Sequence, residues 1–156
     1  HRPANGRLDM SVTPVIYGRF LESLLEARVN VTVDDMWCML VTSAYTFNQD
    51  SHKFKSVVTG EVTGSGYVAG GQMVTTSTPI YDVALHQVNV PAGNLAWPSV
   101  TFSGVTGAVL YMKPDGFPTN AMPLVGYLNF NQSYSKSAEA FYVNWASSGV
   151  LKLDVP

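Results

Sequence analysis

The first clear pattern along the chain is an amphipathic stripe that follows Pro14. Apolar side chains recur there every three or four residues, at Ile16, Tyr17, Phe20, Leu21, Leu24 and Leu25. Polar side chains occupy the opposite face, at Arg19, Glu22 and Glu26. A spacing of this kind is typical of a helix with one buried face. We predict a helix over about 14–28, with Thr13 as its N-cap and Pro14 as its first residue.

After the helix the hydrophobic period changes to two. Val29, Val31 and Val33 alternate with polar residues, which favours an extended segment, and Asp34-Asp35 is a turn signal. The continuous apolar run 36–41 then predicts a central strand that is buried on both faces.

Short strands separated by turn signals dominate the second half. The candidates are 72–78, 84–90, 99–103, 107–113, 123–130, 139–145 and 150–155. We expect the last two to pair as a hairpin, with Phe141, Val143 and Trp145 facing Leu151, Leu153 and Val155. Strands at this spacing indicate an all-β sandwich or barrel with one short N-terminal helix, folded as a single domain over 15–156.

Charge is the unusual feature of the composition. Only 13% of the 156 residues are charged, about half of the roughly 25% expected of soluble domains. Hydrophobic residues make up 46% and aromatic residues 12%. Interface cores share this bias. The composition therefore fits either a domain packed against other proteins or a neutral extracellular β-domain.

Several partner classes are disfavoured by the same composition. The net charge is −2 and the nine basic residues are scattered, so we predict no nucleic-acid partner. No apolar run approaches the ~18 residues of a membrane span, and residues 1–14 lack the apolar centre of a signal peptide. Cys38 is the single cysteine and lies in the buried run, where we interpret it as a small hydrophobic residue.

Candidate chemistry is sparse. Asp50, Ser51 and His52 supply the residue types of a catalytic triad, but adjacent residues cannot form its nucleophile–base–orienter line. We interpret them as a loop in which Asp50 accepts backbone hydrogen bonds. The glycine-rich segment 64–71 lacks the Lys-Ser/Thr end of a phosphate-binding loop and is interpreted as a turn. We predict no catalytic residue, no metal ligand and no cofactor, although eleven acidic residues leave a two-carboxylate hydrolase open.

Five segments, taken in order, resemble one family of proteins. They read YGRF (17–20), MLVTSAYT (39–46), NQDSHKF (48–54), EVTGSGY (61–67) and AGG (69–71). The family consists of small structural proteins encoded in tailed-phage and prophage genomes, and segment 141–153 is similar to its terminal hairpin. The resemblance covers most of residues 15–156.

The resemblance implies a capsid decoration, or cement, protein with a sandwich or jelly-roll-like fold. Such a protein is made in the bacterial cytoplasm and lies on the outer surface of the phage head. Its implied partners are the major capsid protein and further copies of itself. Residues 1–14 would be an extended arm, and loop 46–55 a second contact segment. The predicted contact residues are Arg2, Pro3, Arg7, Leu8, Phe47, Asn48, His52 and Phe54.

A second hypothesis is a tail or fibre module that binds a host-surface glycan through exposed aromatic rings. Trp97, Tyr134 and Tyr142 are the candidates for that role.

Overall fold

Two antiparallel sheets hold about half of the residues in this computed structural model, which describes residues 14–156. This described part of the chain contains eight strands: β1 (Val15–Ile16), β2 (Asp35–Thr42), β3 (Gln72–Val74), β4 (Ile80–Asp82), β5 (Gln87–Val90), β6 (Leu95–Lys113), β7 (Leu124–Val143) and β8 (Leu151–Asp154). The sheets have the orders β1-β7-β6-β2-β3 and β4-β5-β8. One α-helix, α1 (Gly18–Leu25), and two short 3-10 helices, Lys55–Val57 and Thr119–Ala121, complete the fold. The predicted all-β fold with one short helix is confirmed.

The two longest strands, β6 and β7, form the centre of the larger sheet. The sequence predicted each of them as two shorter strands, and this was wrong. β-Bulges absorb the irregular residues, so the pairing continues across them. At one bulge β6 advances from Phe102 to Val105 while β7 moves only from Lys136 to Tyr134, and Gly104 lies there with φ +75°.

Strand β2 is the buried central strand that the apolar run predicted. It pairs with β6 on one side and β3 on the other, and Cys38, Met39, Leu40 and Val41 are at most 1% exposed. Phe141 on β7 lies at the centre of the aromatic part of the core. Its ring centroid is 5.2 to 6.1 Å from those of Trp97, Phe102, Phe130 and Tyr134.

The helix is shorter than predicted at both ends. Val15 and Ile16 form β1, which pairs with Tyr127 and Gly126 of β7, because β-branched residues fit a sheet edge well. The Tyr17 amide then donates to the Val125 carbonyl at 3.1 Å, so helical backbone begins only at Gly18. Helix α1 ends at Leu25, two residues before Ala27 turns left-handed with φ 58°. The predicted cap Thr13 lies outside the described residues.

The alternation of Val29, Val31 and Val33 does not form a strand. The amides of Val33 and Asp34 both donate to the carbonyl of Asn30, which closes a turn. Local hydrogen bonding by Asn and Asp competes with extended structure here, since Asp34 also accepts from the Asn30 amide at 2.7 Å.

Two further predicted strands are shorter in the structure than the sequence indicated. The segment 72–78 is a strand only at Gln72–Val74. The segment 84–90 is a strand only from Gln87, because Leu85 donates to the Asp82 carboxylate and His86 adopts φ 52° in the turn after β4.

The predicted terminal hairpin is also wrong. Trp145 does not continue β7, because its amide and its indole N–H donate to Asn94 Oδ1 and to the Gly93 carbonyl. The chain therefore turns away from β7, and β8 pairs with β5 instead. Leu151 is buried, whereas Val155 is 44% exposed.

The glycine-rich segment lies close against the backbones of β2 and β6. The amide of Val62 donates to Leu40, and the amide of Thr101 donates to Ser65. Gly71, with φ +84°, lies so near β2 that a Cβ atom would come within 1.8 Å of the Cys38 carbonyl oxygen. Close backbone approach and left-handed conformation together explain the glycine at this position.

Replacing Gly71 by alanine should therefore destabilise the fold more than replacing Gly104. Both residues have positive φ, but a Cβ at Gly104 meets nothing within 4 Å. We expect Gly104→Ala to lower the free energy of unfolding by roughly 1–2 kcal/mol through backbone strain alone. Gly71→Ala should add roughly 1–3 kcal/mol of steric overlap. Chemical denaturation of both variants checks this, and equal losses would contradict the close approach.

Candidate functional site

Loop 46–55 is held against the start of α1 by hydrogen bonds to its backbone. The Gly18 amide donates to the Gln49 carbonyl and Arg19 Nε donates to the Asp50 carbonyl, both at 3.0 Å. The amide side chain of Gln49 donates to the Ile16 carbonyl at 2.9 Å. The loop therefore satisfies backbone groups that β1 and the first turn of α1 leave unpaired.

The tip of the loop is organised by Asn48. Its Oδ1 accepts from the amides of Asp50 and Ser51, each at 3.0 Å. Asp50 was predicted to accept these backbone hydrogen bonds, but Asn48 accepts them through the same turn chemistry. The four residues at 48–51 are exposed.

An aromatic layer supports the loop from below. The Phe47 ring stacks on Tyr127 of β7, with centroids 4.8 Å apart and planes 14° apart. It also meets the Tyr17 ring edge-on at 5.0 Å. Phe47 thereby connects the loop, the entry to α1 and the sheet.

A hydrogen-bonded chain of three side chains lies beside this layer. His52 Nδ1 is 2.7 Å from the Tyr45 hydroxyl, which is 2.7 Å from the Tyr17 hydroxyl. Burial lowers the pKa of His52, and burial raises the pKa of both Tyr45 and Tyr17. His52 Nδ1 thus forms its hydrogen bond with Tyr45 rather than with Ser51 or Asp50. The three adjacent residues are therefore not arranged as a triad.

Ion pairs attach the end of the loop to α1. Lys53 Nζ lies 2.9 Å from Glu26 and 3.6 Å from Glu22. The hydrogen bond from Arg19 lowers the pKa of Glu22, and that from Lys53 lowers the pKa of Glu26. Both glutamates are solvent-exposed, so these pairs add little stability.

The predicted contact residues are only partly gathered in one place. Phe47, His52 and Phe54 are half-buried and Asn48 is exposed. Phe54 lies near two cations, with Arg28 and Lys53 5.8 and 5.7 Å from its ring centroid. Arg2, Pro3, Arg7 and Leu8 lie outside the described residues.

A second surface was not predicted from the sequence. Strand β4 and the turn that follows it, named the apolar hairpin (80–85), expose large hydrophobic side chains. They are Ile80 (57% exposed), Tyr81 (48%), Val83 (73%) and Leu85 (63%). One signal identifies this region: between Glu61 and Lys113 only Asp82 carries a formal charge. The hydrophobic pattern alone does not reveal this surface, because a run of exposed apolar residues has the same sequence pattern as a buried strand.

The aromatic residues proposed for glycan stacking do not share an exposed platform. Trp97 is 2% exposed and packs 6.2 Å from the Tyr67 ring. Tyr134 and Tyr142 are half-buried.

Over residues 14–156, no group of three or more His, Cys, Asp or Glu side chains has an arrangement that suits a metal ion. No helix in that range has the length and hydropathy needed to cross a bilayer. Burial raises the pKa of the Cys38 thiol to about 12, so this cysteine is not a reactive thiolate at neutral pH.

Comparison with known proteins adds no relative: no family model, curated protein or solved structure matches the chain.

Phe47→Ala should loosen the loop. We expect it to lower the free energy of unfolding by about 2 kcal/mol, since two ring contacts are lost. Tryptic cleavage after Lys53 should become faster, as followed by mass spectrometry. Thr46→Ala, a change at an exposed neighbour, is the control and should leave both measurements unchanged. Equal cleavage rates in the two variants would show that the aromatic layer does not hold the loop.

Proposed function

We propose that this protein is a capsid decoration protein that binds the outside of a phage head and stabilises the shell. The observation that carries the proposal is the apolar hairpin (80–85) within a stretch that has one formal charge between Glu61 and Lys113. The ordered likeness of segments 17–71 to phage structural proteins supports the same role.

The physical argument concerns the cost of leaving such a surface in water. Interface cores are depleted in charge, as this stretch is. Burying apolar area contributes roughly 25 cal/mol per Å² before the costs of association are subtracted. On a symmetric shell each contact is repeated many times, so a modest single contact is sufficient to clamp neighbouring subunits.

Three segments are the proposed contacts with the major capsid protein. They are residues 1–14, the exposed tip of loop 46–55 and the apolar hairpin (80–85). The tip offers polar groups at Asn48 and Asp50, whereas the hairpin offers Val83 and Leu85. Interfaces usually contain both kinds of group, apolar side chains that lose their contact with water and polar groups that form hydrogen bonds.

The glycan-binding alternative has less support. Sugars stack on exposed aromatic faces, and Trp97 is buried in the core. A tail or fibre module remains a distinct outcome of the experiment below, because it would bind glycans and leave the shell bare.

The test is co-sedimentation with bare, expanded capsids, followed by electron cryomicroscopy of the pellet. We expect ordered density at symmetry positions on the outer shell. The double variant Val83→Glu/Leu85→Lys should weaken binding at least about tenfold, since it places two charges in an apolar contact. Its matched control is Val33→Glu/Leu25→Lys, which makes the same changes at residues 75% and 90% exposed on another part of the surface. The control should bind normally.

Three results would contradict the proposal at different levels. Equal binding by the two double variants would show that the hairpin is not part of the interface. Unchanged binding after deletion of residues 1–14 together with alanine substitutions at 48–51 would show that the other two segments make no contact with the capsid. If the unmodified protein leaves the capsids bare, the decoration role itself is wrong, and glycan-array binding then tests the alternative.

A further inference from the structure

The hydrogen bonds that join His52, Tyr45 and Tyr17 have a defined donor-to-acceptor direction. The Tyr17 end of this hydrogen-bond chain is buried, whereas the His52 end can gain a proton. Tyr17 is 0% exposed and Tyr45 is 5% exposed, whereas His52 is half-buried. Among the described residues, the Tyr17 hydroxyl has only the Tyr45 hydroxyl as a hydrogen-bond partner. A buried hydroxyl without an acceptor is unfavourable, so Tyr17 must donate to Tyr45.

That requirement fixes the rest of the chain. Since Tyr45 accepts from Tyr17, its own O–H is directed to His52 Nδ1. His52 Nδ1 must then hold a lone pair, which selects the neutral imidazole with its proton on Nε2. In this state both hydroxyl donors have acceptors.

Protonation of His52 is incompatible with this arrangement. The imidazolium carries a proton on Nδ1 as well, so it donates to Tyr45. Tyr45 then either turns its own O–H toward Tyr17, which leaves the Tyr17 O–H without an acceptor, or keeps accepting from Tyr17, which leaves its own O–H without one. In both cases one buried hydroxyl donor has no acceptor among residues 14–156. We propose that loop 46–55 is a pH-sensitive latch, in which protonation of His52 breaks this hydrogen-bond chain and releases the loop from α1 and β7.

Other groups near the latch do not offset this effect. The ionisable groups on the elements packed around His52 are Tyr45, Tyr17, Tyr127, Arg19, Glu22, Asp50 and Lys53. Arg19 is engaged with Glu22 and the Asp50 carbonyl, and Lys53 is engaged with Glu22 and Glu26. No carboxylate among them forms a hydrogen bond to the imidazole that would stabilise its cation, and burial alone accounts for the lowered pKa of His52.

The direction of the pH dependence follows from that lowered pKa. His52 binds a proton more readily in the unfolded chain, where its pKa has the ordinary value of 6.5, than in the folded chain. The contribution of neutral His52 to the stability of the fold is therefore complete above about pH 6.5. It is lost as the pH falls through the lower pKa of the folded state. The loop should be closed at neutral pH and open in mild acid. The inference does not depend on the proposed capsid role.

The first experiment measures the tautomer and pKa of His52 by ¹⁵N-detected NMR titration. Neutral His52 should carry its proton on Nε2, and a proton on Nδ1 would overturn the proposal. Tyr45→Phe removes the hydroxyl that donates to Nδ1, so that nitrogen no longer has to keep a lone pair. We expect the pKa of His52 to rise in this variant and the tautomer preference to weaken. An unchanged pKa and tautomer would equally overturn the directional chain.

The second experiment follows release of the latch by amide hydrogen exchange. The Gly18 amide, which donates to Gln49, reports on loop closure, and the Val62 amide, which donates to Leu40 of β2, is the reference. Between about pH 7.5 and about pH 5, the protection factor of Gly18 relative to Val62 should fall about tenfold. His52→Gln keeps an acceptor for Tyr45 but does not titrate, so this fall should disappear.

A fall of equal size in His52→Gln would assign the acid response to another group and refute the latch. The Tyr45→Phe titration leaves His52 itself intact, so the proposal stays testable even if His52→Gln does not fold.

Discussion

The pairing of β6 with β7 is the interaction on which the rest of the structure depends. β6 provides the edge on which the buried strand β2 pairs, and β7 provides the edge for β1. Phe141 on β7 packs against the rings of Trp97, Phe102, Phe130 and Tyr134. Tyr127 on the same strand supports Phe47, so even the exposed loop 46–55 takes its position from this pair of strands. Bulges let the ladder extend over about twenty residues without flattening the sheet.

Charge is distributed unevenly over this framework. The charged side chains of α1 and loop 46–55 pair with one another through Lys53, Glu22 and Glu26. The apolar hairpin (80–85) has no such groups to keep it hydrated apart from Asp82. The surface around loop 46–55 thus carries charged groups that pair with one another, whereas the hairpin presents apolar side chains to solvent.

The sequence predicted features that depend on local pattern and missed those that depend on competition between partners. The buried strand at 36–41 and the helical face of Phe20 and Leu24 follow from periodicity alone. The start of α1 could not be predicted from periodicity, because Val15 and Ile16 pair with β7, a strand that is distant in sequence. The terminal hairpin failed for the same reason, since β5 is the partner of β8. At the site, the loop was recognised from its polar residues. The chain from His52 to Tyr17 joins residues 35 positions apart in sequence, which single-sequence spacing does not reveal.

The pairing of β2 with β6 also constrains how the chain is made. Asp35 lies opposite Lys113, so the ribosome must add 78 further residues, 113 minus 35, before that ladder can close. At elongation rates of about 5–20 residues per second this takes about 4–16 s. β3 is made about halfway through that interval, but β6 is complete only at its end, so one edge of the apolar run from Met36 to Val41 stays unpaired until then. An unpaired strand edge can associate with other chains, so this delay is the interval in which the nascent protein is most exposed to aggregation.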